Sequence, residues 1–339
     1  MNELTPKRTA KDYATDQEVR WCPGCGDYAI LRAVQKTLAD IEAVPEKTVF
    51  VSGIGCAARF QYYIETYGFH TIHGRAPAFA TGIKLANPEL DVWVVGGDGD
   101  MLSIGANHLM HVIRRNVDMQ VLLFNNEIYG LTKGQASPTS RAGTRSPSTP
   151  MGSVDSPVSA CGFALGSGAR FVARGIDTQQ KYLPTILKRA HAHTGASFIE
   201  ILQNCIVYND GVFDDITAKP VAADRQVVCE HGKPLVFGAD SDKGLRLDPE
   251  TLMIEVVEVG EDGPEAAGVL VHNETNHVIA SMLAAMDDDH LPVAVGVIYC
   301  NPGGSYEQGV AAMKAVAHEK SDGISLDDLM HQGHTWTVE

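Results

Sequence analysis

The chain has 339 residues, 44% of them hydrophobic and 20% charged, a balance that belongs to folded proteins and excludes a disordered one. Lys and Arg number 27 against 42 Asp and Glu, and the formal net charge of −15 argues against nonspecific binding to nucleic acid or anionic membranes. No apolar run approaches the roughly 20 residues of a membrane span, and residues 1–20 are polar with no signal-peptide core, so a cytoplasmic protein is expected.

Residues 1–20 read as an irregular arm. Asp27 stands where it would cap a helix, with Leu31, Val34 and Leu38 following at helical spacing. Residues 48–51 read as a strand, followed by a loop with Gly53 and Gly55. Helices are expected at 60–67 and 77–86, the second stopped by Asn87 and Pro88. A strand from Val92, a helix through Leu109 to Arg114 and a strand through Val121 form a βαβ unit. Residues 134–157 are rich in Ser, Thr, Pro and Gly, the composition of a lid or linker. A strand at 171–173, a helix at 178–193 and a strand at 197–202 complete the alternation. This is an α/β class, a mainly parallel sheet covered by helices on both faces. After Asp210 the composition shifts. Residues 214–247 show little periodicity, and helices at 272–286 and 306–317 flank a strand at 293–299. The chain therefore divides into a domain at 1–215 and a small C-terminal extension at 216–339.

Two short segments carry the most chemistry. Gly97, Asp98, Gly99 and Asp100 follow the apolar run 92–95, and Asn125, Asn126, Glu127, Ile128, Tyr129 and Gly130 follow the run 121–124. Short apolar runs ending in turn residues read as buried parallel strands, and ligands collect at the carboxyl ends of such strands. Asp98 and Asn126 then stand at one sheet edge with hard oxygen donors that suit Mg²⁺. Glycines beside Asp98 leave room for a diphosphate close to the backbone.

The cysteines allow three readings. Trp21, Cys22, Pro23, Gly24 and Cys25 resemble a thioredoxin-like redox pair, although 17–20 makes a poor preceding strand. A zinc site would need a second ligand pair at metal spacing, and no second C-x-x-C occurs. An iron–sulfur cluster needs four thiolates that need not be close in sequence. Cys56 lies in a glycine-rich turn and Cys205 just past the strand ending at Leu202, both on the ligand edge. Cys161, Cys229 and Cys300 read as buried apolar residues.

The GDG and NN pair, some 28 residues apart, resembles the thiamine diphosphate signature. The wider pattern of WCPGCG, GIGC, HGRA, GDGD, NNEIYGLTKGQ and a cysteine after the last core strand resembles the β subunit of 2-oxoacid:ferredoxin oxidoreductases. It is most similar to the 2-oxoglutarate branch, and the likeness runs over about residues 15–215. The resemblance implies a thiamine diphosphate-binding fold with the cofactor domain at 1–215 and subunit contacts from 216–339. It implies CoA-dependent oxidative decarboxylation of a 2-oxoacid, reversibly, with electrons passing through a [4Fe–4S] cluster to ferredoxin. Asp98, Asn126 and the carbonyl of Ile128 would hold Mg²⁺; Cys22, Cys25, Cys56 and Cys205 would hold the cluster. His73, Gly74, Arg75, Gly97, Gly99, Asp100, Tyr129, Gly130 and Leu131 would surround the diphosphate. Lys133, Arg59 and Thr132 are the candidates for the substrate, the two cations for its distal carboxylate. Arg141 and Arg145 are candidates for CoA phosphates or a partner subunit. No glutamate for the aminopyrimidine ring is assignable, so an α subunit is implied, in an expected α₂β₂ assembly. The alternatives are a pyruvate-specific or other 2-oxoacid-specific relative, and a noncatalytic C-x-x-C redox or metal-binding protein.

Overall fold

The computed structural model describes residues 7–286, 290–320, 323–336 and 338. The strands β1 (Thr48–Ser52), β3 (Asp91–Gly97) and β4 (Met119–Asn125) are almost entirely buried. With β2 (Tyr67–His70), β7 (Phe171–Ile176) and β8 (Ala196–Leu202) they run parallel in one sheet. Two-sided burial is why the sequences of β1, β3 and β4 are largely apolar runs. Val94, Val121 and Leu123 point to one core while Trp93, Leu122 and Phe124 point to the other. Helices α2 (Ala76–Ala86), α3 (Ala106–Arg115) and α4 (Ala160–Gly166) cover the first face. Helices α1 (Asp27–Asp40) and α5 (Leu183–Ala192) cover the second. Between β4 and β7 a two-stranded hairpin pairs β5 (Ile128–Tyr129) with β6 (Gln135–Ala136).

Three local expectations are corrected. Asp27 opens α1 as its first residue and is buried, the cap position being Gly26. The helix expected at 60–67 is a 3₁₀ turn at Ala57–Tyr62 leading into β2, an edge strand exposed along its length. The arm contains a 3₁₀ turn at Ala10–Tyr13, pinned by the buried Tyr13, whose hydroxyl donates to the Ala43 carbonyl at 2.6 Å.

The later strands are β9 (Gln226–Cys229), β10 (Val236–Phe237), β11 (Lys243–Leu247), β12 (Ile254–Glu258) and β13 (Val293–Cys300). Among the described residues the large sheet has eight strands in the order β2-β1-β3-β4-β8-β7-β13-β9. β13 is antiparallel to β7 and parallel to β9. The compositional shift near residue 215 thus does not coincide with an end of the sheet. β10, β11 and β12 form a separate antiparallel sheet. Among the described residues no helix is long and apolar enough to cross a membrane.

Candidate active site

The turns after β1, β3, β4 and β8 emerge at one carboxyl edge and border two adjoining cavities. The larger, about 500 Å³, is lined by residues 54–57, His73, residues 97–100, Asn126, residues 128–132 and Gln135. The smaller, about 200 Å³, is lined by Cys22, Cys25, Cys56, Cys205, Asp27, Arg59 and their neighbours. Cys56, Asn126, Gly130 and Leu131 belong to both walls.

Asp98 is 2% exposed on the wall of the larger cavity. Its Oδ2 accepts from Ser137 Oγ at 2.5 Å and Thr139 Oγ1 at 2.6 Å. Burial raises its pKa and the two hydroxyls oppose the rise. Its hydrogen-bond partners are hydroxyls and backbone amides, with no cationic side chain among them in the described residues. A buried carboxylate so placed fits a divalent cation as its missing counter-charge. Asn126 Nδ2 donates to Gln203 Oε1 at 2.7 Å, which turns Oδ1 toward the Ile128 backbone N–H at 3.2 Å. Carboxylate, amide oxygen and the Ile128 segment thus share one wall, an oxygen set suited to Mg²⁺.

Asp100, expected only as a neighbour of the cofactor, organises three loops. Its Oδ1 accepts from Ile54 N at 3.1 Å and Gly74 N at 2.7 Å, and lies 2.6 Å from His73 Nδ1. Gly74 has φ +69° and packs so tightly that a Cβ would stand 2.6 Å from Gly105 N. Arg75 lines neither cavity, and its guanidinium donates to the carbonyls of Ile104 at 3.3 Å and His73 at 3.5 Å. The Tyr129 hydroxyl donates to Gly99 O at 3.1 Å.

Thr132 lines the larger cavity and its hydroxyl donates to the Gln135 side chain. Lys133 follows it with φ +76°, exposed and just outside that lining. Arg59 borders the cysteine cavity and not the larger one, with its Nε buried and unpartnered. Arg141 is held by Glu127 at 3.4 Å and Asp215 at 3.1 Å and donates to Val212 O at 2.7 Å. Burial pushes Glu127 up to about 7 against the pull of Arg141.

All four cysteines singled out from the sequence border the smaller cavity. Gly130 leaves a cradle between two of them, since a Cβ there would lie 3.5 Å from Cys205 Sγ and 3.7 Å from Cys56 Sγ. Trp21 ties the two cysteine loops together, its indole N–H donating to the Cys56 carbonyl at 2.7 Å. It is packed edge-on against Tyr63 at 4.8 Å between ring centroids. Burial pushes the Cys56 thiol up to about 12 and raises Cys25 as well. Among the described residues no three His, Cys, Asp or Glu side chains converge on a single metal ion. The four cysteines line one shared cavity, a set of thiol donors of the kind an iron–sulfur cluster takes. Cys161, Cys229 and Cys300 are buried elsewhere, as expected.

Ser137, Thr139 and Gln203 were not singled out from the sequence. The first two lie in the Ser/Thr/Pro-rich stretch, where composition hides which hydroxyl meets Asp98. Gln203 had a positional signal, since it directly follows a core strand that ends at the ligand edge.

Residues 53–201 match the family model for the thiamine pyrophosphate enzyme C-terminal TPP binding domain. The chain is 45% identical to the 2-oxoglutarate oxidoreductase subunit KorB of Mycobacterium tuberculosis, over 97% of this chain and 88% of that one. It is 50% identical to the 2-oxoacid:ferredoxin oxidoreductase 1 subunit beta of Aeropyrum pernix, over 60% of this chain and 64% of that one. Its fold is similar to a 2-oxoglutarate:ferredoxin oxidoreductase from Magnetococcus marinus, solved with 2-oxoglutarate, coenzyme A and succinyl-CoA bound. That likeness has a TM-score of 0.77 and 29% identity, covering 98% of each chain.

Proposed function

This chain belongs to the β subunits of the 2-oxoacid:ferredoxin oxidoreductases, and from that premise we propose how its two cavities divide the work. The reaction is the CoA-dependent oxidative decarboxylation of 2-oxoglutarate to succinyl-CoA and CO₂, with electrons leaving one at a time toward ferredoxin. The observation that carries the reading is the shared wall, since Cys56, Asn126, Gly130 and Leu131 face both cavities.

The larger cavity takes thiamine diphosphate, which when bound supplies a carbon nucleophile and an electron sink for the decarboxylation. Asp98, Asn126 and the Ile128 carbonyl hold Mg²⁺ against its diphosphate. Ser137 and Thr139 keep the Asp98 carboxylate oriented and compensate its burial. Asp100 fixes His73 and the Gly74 backbone at the same wall. Cys22, Cys25, Cys56 and Cys205 bind one [4Fe–4S] cluster, whose role is one-electron transfer. Iron is bound by thiolates, so loading the cysteines releases their protons.

Lys133 meets the distal carboxylate of the 2-oxoacid. Arg59 is better placed to counter negative charge at the cysteine cavity. No glutamate lines the larger cavity among the described residues, which supports an α subunit supplying the group against the aminopyrimidine ring. The cytoplasmic assembly proposed is α₂β₂.

The test is anaerobic reduction of a viologen dye by the co-purified α and β chains with CoA and either 2-oxoglutarate or pyruvate. CoA-dependent reduction with 2-oxoglutarate is expected. Reduction with pyruvate alone would overturn the substrate assignment. Failure with both, cofactor and cluster bound, would favour another 2-oxoacid or a noncatalytic role.

A further inference from the structure

Gln203 directly follows β8 and is 1% exposed. Three hydrogen bonds decide which way its side-chain amide points. Oε1 accepts from Asn126 Nδ2 at 2.7 Å. Nε2 donates to the Asn204 carbonyl at 2.5 Å and to Cys25 Sγ at 3.3 Å. Its backbone N–H donates to the Asn125 carbonyl at 2.8 Å. Gly26 packs against its stem, where a Cβ would stand 2.9 Å from Gln203 Cγ. The side chain therefore has neither a free hydrogen-bonding group nor room to swing.

From this geometry we propose that Gln203 is a positioning residue shared by both prosthetic sites, fixing the Asn126 amide with one end and donating to the Cys25 sulfur with the other. The inference rests on the assignment of Asn126 to Mg²⁺ and Cys25 to the cluster. An asparagine amide can present either oxygen or NH₂ to a cation, and only the oxygen binds it. With Nδ2 engaged by Gln203, the oxygen is the end left for the metal. An N–H aimed at a cluster sulfur favours the more negative, reduced state and raises the reduction potential. One amide thus orients a diphosphate–metal ligand and tunes the electron acceptor beside it.

The test uses the full assembly, purified anaerobically, with wild type, Gln203→Met and Gln203→Glu. The methionine keeps the length and removes both hydrogen-bonding ends. The glutamate keeps an acceptor for Asn126 and removes the donor to Cys25. The readouts are iron and sulfide content, the cluster midpoint potential by spectroscopic titration, and the dissociation constant for thiamine diphosphate with Mg²⁺. Gln203→Met is expected to keep its iron, shift to a more negative potential and bind thiamine diphosphate about fivefold more weakly. Gln203→Glu is expected to show the potential shift with near wild-type cofactor affinity, and it carries the test where the methionine variant fails to load. A loaded Gln203→Met protein with unchanged potential and unchanged affinity would overturn the inference alone. Wild-type protein without iron and sulfide would overturn the cluster assignment together with it.

Discussion

Thr139 Oγ1 sits 2.6 Å from Asp98 Oδ2, and the same hydroxyl lies 2.8 Å from Asn125 Oδ1. One hydroxyl hydrogen serves only one acceptor at a time. Asn125 in turn donates to Glu200, which is ion-paired with Arg174 at 2.7 Å in the interior. Thr139→Val keeps the shape and removes the donor. The expected result is a loss of about 1–2 kcal/mol in stability and a several-fold weaker binding of thiamine diphosphate with Mg²⁺. Denaturant titration and calorimetry check the two separately.

At Gly99 a side chain meets a steric obstacle. A Cβ there would stand 2.2 Å from the Tyr129 ring, whose hydroxyl bonds the Gly99 carbonyl. Gly99→Ala must push the ring or the turn aside, at a cost of about 1–3 kcal/mol. A lowered melting temperature is expected, with part of the loss regained in Gly99→Ala combined with Tyr129→Ala. An unchanged melting temperature in the single variant would contradict the packing described.

Lys133 stands exposed in a left-handed backbone conformation beside the larger cavity. If it meets the distal carboxylate of the substrate, Lys133→Ala raises KM for 2-oxoglutarate about tenfold with a smaller change in kcat. Steady-state kinetics with 2-oxoglutarate decides this, and an unaltered KM counts against the role.

His191 on α5 lies 3.3 Å from Asp91 at the start of β3, and that hydrogen bond raises its pKa above the ordinary imidazole value. The sign follows directly. The folded state holds the proton more tightly than the unfolded chain, so the stabilisation is full below about pH 6.5. It is lost as pH rises through the raised folded-state value. His191→Gln should therefore cost more stability at pH 5.5 than at pH 9, as measured by urea unfolding at both. Equal costs at the two values would show that the ring contributes only its packing on Trp93.

The parallel core was legible because strands buried on both faces leave unbroken apolar runs, as at Val92 and Val121. The edge strand was not. Tyr67 and Phe69 are exposed at the rim of the sheet, so no burial pattern marks them against the 3₁₀ turn before. The GDG and NN turns were visible because their chemistry follows strand ends. Ser137 and Thr139 were hidden, because their partner Asp98 lies far away in sequence and many hydroxyls surround them. The role of Asp100 was hidden for a related reason, since its partners come from the loops after β1 and β2.

β7 is buried along its whole length between β8 and β13, and its Arg174 pairs with Gly296 near the far end of the chain. During synthesis the residues of β7 leave the ribosome long before those of β13 exist. Until then β7 presents an open, apolar hydrogen-bonding edge, which is the kind of surface that recruits stray strands. A chain halted before β13 would hold the β7 side of its sheet without the strand that covers it in the finished fold.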